Sequence, residues 1–136
     1  MGASILVIDD DAIVRETVQY ILESVGYEVT CAENGERGLE AFRARRPDVV
    51  VTDIIMPDRE GIGMIIEMRR EWPGGPIVAI SGGGRLANAD YLKMAGKLGA
   101  NSILAKPFEP EDLIEAVGRC LRGQRTAVAR IEDSEE

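Results

Sequence analysis

Five short runs rich in apolar and β-branched residues, at positions 4–8, 28–32, 49–52, 77–80 and 102–105, alternate along the chain with segments of helical spacing. Val14, Val18, Ile21, Leu22 and Val25 mark one face of the first such segment, and Leu113, Val117, Cys120 and Leu121 mark the last. Strand followed by helix, repeated in this way, leaves few architectures open. A parallel sheet covered by helices on both faces satisfies it, and explains why the first, third and fourth runs are almost continuously hydrophobic rather than alternating. The punctuation agrees. Gly26 ends the first helical segment, Asn34 and Gly35 open the second, Pro47 stops it, Pro73 and Pro76 close the third, and Pro110 stands where a first helical turn begins.

At 136 residues the chain has material for one substantial core, and 45% apolar with 29% charged residues is the balance of a globular protein. It contains no uninterrupted apolar stretch of about 18 residues, and its N-terminus lacks a basic lead-in before the first apolar run, so neither a membrane span nor a signal peptide is expected. The expected location is cytoplasmic. A net charge of −8 argues against sequence-independent nucleic-acid binding, which needs a basic face, and points to protein partners instead. Cys31 and Cys120 form no metal or disulfide pattern and read as reduced core residues. There is no histidine, which removes histidine triads, histidine metal sites and phosphohistidine from this chain. The last residues, 123–136, lose periodicity and end in EDSEE, the pattern of a polar, solvated tail, so the expected division is a folded domain over 1–122 and a disordered tail over 123–136.

In open parallel sheets, ligands bind beyond the carboxyl ends of the strands. The residues just past each apolar run therefore matter most. Asp9, Asp10 and Asp11 stand after the first strand, Asp53 stands at the end of the third, the fourth ends in Ser81 and the fifth in Lys106 followed by Pro107, while the end of the second offers only Glu33. Two carboxylates about 4 Å apart repel by roughly 4 kcal/mol at an effective dielectric near 20, so such a cluster calls for a cation. Oxygen ligands without histidine or thiolate favour magnesium, which keeps water and phosphate oxygens in its shell. Lys106 offers a point charge, and Ser81 a hydrogen-bond donor, to a phosphoryl group. Asp11 has a plainer use as the N-cap of the first helix, and Gly82, Gly83 and Gly84 read as a turn, because no Walker-type spacing accompanies them.

Four stretches together, ILVIDDD at 5–11, VVVTDIIMPDREG at 49–61, IVAISG at 77–82 and AKPF at 105–108, resemble the receiver domain of two-component response regulators, over roughly residues 4–121. The resemblance implies a flavodoxin-like α/β fold: a doubly wound, five-stranded parallel sheet in the order 2-1-3-4-5. It implies that Asp53 is the phosphoacceptor and that magnesium is held by Asp10 directly, by Asp9 through water, by the Asp53 carboxylate and by the backbone carbonyl of Ile55. Ser81 would hydrogen-bond the phosphoryl group, Lys106 would pair with it, and the Lys106–Pro107 peptide bond is expected to be cis. The implied donor is a sensor histidine kinase or a histidine phosphotransfer protein, and the implied output is altered binding to a downstream protein, without a nucleic-acid or membrane partner.

The sequence departs from the family pattern in two places. Ile103 stands where an aromatic residue often precedes the lysine by three positions, so an aromatic rotamer switch is not expected. The stretch between Ser81 and Gly99 is longer than usual by about three residues. An apolar Ile55 offers nothing to orient attacking water, which predicts a long-lived phosphoryl group. Tyr91, Met94 and Lys97 can be read as a partner face or as ordinary helix surface. Two other readings compete. In a magnesium-dependent phosphohydrolase of the haloacid dehalogenase type, Asp9 and Asp11 would be nucleophile and acid, but Ile13 departs from that pattern and Asp53 would have no role. A flavin-binding module would need a hydroxyl-rich phosphate loop after the first strand, which is lacking.

Overall fold

A computed structural model of the chain describes residues 2–53, 60–81, 96–97, 99–105 and 108–123. Its elements follow the expected alternation: β1 (Ser4–Ile8), α1 (Ala12–Ser24), β2 (Glu28–Ala32), α2 (Gly35–Ala44), β3 (Val49–Asp53), α3 (Glu60–Glu71), β4 (Ile77–Ser81), β5 (Ser102–Ala105) and a C-terminal helix (Pro110–Leu121). All strand pairings are parallel, and the sheet order is β2-β1-β3-β4-β5. Strand order thus reverses at β1, and the crevice opens between the tips of β1 and β3.

Alternation along the strands builds two cores. Leu6, Ile8, Val50, Ile77 and Ala79 face one side, where Phe42 of α2 and Met64, Ile65 and Met68 of α3 cover them. Ile5, Val7, Val49, Val51, Val78 and Ile80 face the other, under Val18 and Leu22 of α1 and Leu113, Val117 and Cys120 of the C-terminal helix. Each such side chain stabilises the fold by about 1.5–3 kcal/mol through loss of water contact. The helices come close to the sheet: a Cβ at Gly38 of α2 would meet Ile8 Cδ1 at 2.6 Å. At the far end of α2 the Phe42 and Trp72 rings pack edge to face, 5.4 Å between centroids, with the Arg46 guanidinium 4.4 Å over Phe42.

Helix ends follow their local chemistry. Asn34 caps α2 by accepting the Arg37 N–H, and Pro110 occupies the first turn of the C-terminal helix behind a Glu109/Asp112 capping box. Val25 and Leu121, which continue the apolar spacing, are exposed, because α1 stops at Ser24 and Leu121 is the final residue of its helix. Both cysteines are free. Cys120 lies in the core, where burial pushes its thiol up to about 11, whereas Cys31 sits half-buried on the edge strand β2.

Candidate functional site

The register brings the acidic residues together. Ile8, the last residue of β1, lies opposite Thr52 of β3, so Asp9 leaves its strand beside Asp53. Asp53 closes a strand whose five residues are all buried, and is itself 5% exposed; Asp9 is 2% exposed. Asp10 is exposed. One carboxylate oxygen from each of Asp9, Asp10 and Asp53 lies within 4.8 Å of the other two. Residues 44 positions apart in sequence thus form one cluster of like charge. Such a group is stabilised by a hard cation between the oxygens, and a set of oxygen donors alone suits magnesium.

The Asp9 backbone is tightly held. Its N–H donates to the Ala32 carbonyl at 3.1 Å, so the tip of β2 supports the tip of β1. Its Oδ1 accepts the Asp11 N–H at 2.8 Å, and its carbonyl accepts from Arg15 Nη1 at 2.7 Å. Asp11 is turned toward α1, where its Oδ1 accepts from the N–H groups of Ile13 (2.9 Å) and Val14 (3.4 Å). That is the capping role the sequence suggests, and it occupies the carboxylate that a phosphohydrolase reading needs as an acid. Thr52 Oγ1 donates to the Asp53 carbonyl at 3.1 Å.

Ser81 ends β4, opposite Ala105 of β5, at the same edge of the sheet as the acidic tips. Ile55, Lys106 and Pro107, the glycines at 82–84, and Tyr91 and Met94 lie outside the described residues, as do the lengthened stretch after Ser81 for most of its course and the tail from 124 onward. Lys97 is helical and exposed. Ile103 is buried against the core that α3 covers, so aliphatic packing fills the position where the family pattern often has an aromatic residue. Sequence reasoning missed Arg15. The available signal was a cation in the first turn of a helix, where the macrodipole favours acids.

Comparison with known proteins agrees with this architecture. The response regulator receiver domain family matches residues 5–118. The chemotaxis protein CheY of Thermotoga maritima is 35% identical over 120 residues, which are 88% of this chain and 98% of that protein. The probable transcriptional regulator ycf27 of Pyropia yezoensis is 36% identical over 87% of this chain but only 47% of its own length, so the chain spans about half of that relative. The crystal structure of a response regulator receiver domain protein from Clostridium thermocellum superposes with a TM-score of 0.80 at 32% identity, covering 88% of this chain and 94% of that one. The chain belongs to the response regulator receiver domain family. Its function is accordingly that of a phosphoryl-accepting signalling switch in two-component systems. No described helix is long and apolar enough to cross a membrane.

Proposed function

We propose that Asp53 accepts a phosphoryl group from a phosphohistidine on a sensor kinase or a histidine phosphotransfer protein, and that the resulting charge changes which downstream protein binds. The observation that carries this reading is the convergence of the Asp9, Asp10 and Asp53 oxygens within 4.8 Å at the β1/β3 crevice. Asp9, Asp10, Asp53 and the carbonyl of Ile55 would hold magnesium. When bound, the ion supplies positive charge to the oxygens of the transferring phosphoryl group. Asp53, at the end of a strand buried along its whole length, would present its oxygen for in-line approach by the donor. Lys106 neutralises a phosphoryl oxygen and Ser81 donates a hydrogen bond to another.

Because these 136 residues hold no histidine, the donor histidine lies outside them. The aspartyl phosphate draws Ser81 toward it, and the movement biases a partner-binding face that includes β5 and the C-terminal helix. The chain assists only its own phosphorylation and dephosphorylation. The domain covers residues 1–122, the tail 123–136 plays no part in the chemistry, and the module acts in the cytoplasm on protein partners.

Incubation with magnesium and acetyl phosphate, followed by mass-spectrometric mapping, is expected to place one phosphoryl group on Asp53. Asp53→Ala should abolish labelling. Labelling at Asp9 in the wild type would instead support the phosphohydrolase reading.

A further inference from the structure

Arg15 stands in the first turn of α1, a turn with no acidic residue, where the helix dipole disfavours a cation. Its guanidinium reaches back past the helix start to the Asp9 carbonyl, at 2.7 Å. That carbonyl belongs to the peptide plane joining Asp9 to Asp10. Holding the plane fixes ψ of Asp9 and φ of Asp10 together, and with them the directions in which both side chains leave the backbone. The other end of Asp9 is secured from different elements, its N–H by Ala32 of β2 and its carboxylate by the Asp11 N–H. The 9–10 peptide is thus the joint on which the mutual orientation of two carboxylates turns. The same guanidinium opposes the upward push that burial gives the Cys31 thiol on β2.

We infer that Arg15 is a positioning residue for the divalent-cation site: through the Asp9 carbonyl it sets the Asp9–Asp10 peptide so that both carboxylates converge with Asp53 on one ion. The inference rests on the acidic cluster being the metal site. Charge alone predicts the opposite consequence, since deleting a nearby cation should tighten binding of another. The sign of the effect therefore separates orientation from simple charge balance.

The test is Mn2+ binding to the full chain, followed by electron paramagnetic resonance of the free ion, with urea unfolding measured in parallel. Arg15→Ala should weaken Mn2+ binding about tenfold, the effect expected when support behind a ligand is lost. Arg15→Lys, which keeps a charged donor, should return the affinity to within about twofold of wild type. Should Arg15→Ala fail to fold, Arg15→Met, which keeps most of the stem, is read in the same way. Unchanged or tighter binding in Arg15→Ala or Arg15→Met, while Asp10→Asn binds weakly, overturns the positioning role alone. Unchanged binding in Asp10→Asn overturns the metal-site reading and the role of Arg15 with it.

Discussion

At the carboxyl end of the strands, three carboxylates converge within 4.8 Å. At the amino end, a single cation is surrounded by oxygens. Arg69, near the end of α3, donates from Nη1 to the carbonyls of Trp72 (2.9 Å), Pro73 (3.0 Å) and Gly75 (2.7 Å), and from Nη2 to the Gly99 carbonyl (2.6 Å) and Asn101 Oδ1 (3.0 Å). The same Asn101 oxygen accepts the Ile77 N–H at 3.0 Å, while the Asn101 N–H donates to the Ile77 carbonyl at 2.7 Å, so one guanidinium ties α3 to the entrances of β4 and β5. Gly99 allows the approach, with a φ of 106° and an Arg69 Nε that a Cβ would meet at 2.9 Å. At the amino end these neutral oxygens around Arg69 tie α3, β4 and β5 together. The carboxyl end gathers like charges, which weakens the fold locally but prepares it for an ion and a phosphoryl group.

Substitutions at the two ends should therefore act with opposite signs. Arg69→Ala is expected to have the largest effect on stability, a loss of about 3 kcal/mol in urea unfolding, because several carbonyls lose a charged donor at once. Its Mn2+ affinity should match wild type; a parallel loss of affinity would mean that the two ends are coupled. Asp10→Asn should do the reverse, raising stability by about 1 kcal/mol in metal-free buffer by relieving repulsion. It should also lose the gain from added magnesium, which for wild type amounts to about 2.7 kcal/mol at a hundred times Kd. A less stable Asp10→Asn protein would break the contrast.

The smallest effect belongs to a surface pair. Arg43 of α2 donates to Glu71 of α3, and that hydrogen bond, more than its charge, holds the Glu71 carboxyl below its ordinary value of 4.5. A depressed carboxylate contributes stability above the unfolded value and loses it as pH falls through the folded one. Glu71→Gln should therefore be slightly less stable than wild type near neutrality, and the difference should vanish in acid below the ordinary glutamate range. Urea midpoints across that pH range check the sign, and a gap that persists at low pH would point to packing instead.

Most of the fold was legible because burial and capping are local properties. The continuous apolar runs of β1, β3 and β4 announced strands covered on both faces, and Asn34, Gly26 and Pro110 marked helix ends by their own backbone preferences. The ends of β3 and β4 at Asp53 and Ser81 were legible as well, because each apolar run stops at a polar residue. Spacing could not show that Cys31 lies on an edge strand and is only half covered. The acids of the candidate site were legible as types at strand ends. Arg15 and Arg69 were not, since an arginine is informative only once the oxygens it reaches are known.

By itself, then, the sequence determined the alternation of strand and helix, the absence of any histidine chemistry, and the gathering of acids at strand tips, all of which follow from residue identity and short-range spacing. Only the tertiary structure decided which tips are neighbours. Asp9 and Asp53 meet because β1 pairs with β3 in a register that sets Ile8 against Thr52, and because β2 and Arg15 hold the Asp9 backbone in place. Register is fixed by burying both faces of the sheet at once, a condition on the whole core that no single segment expresses.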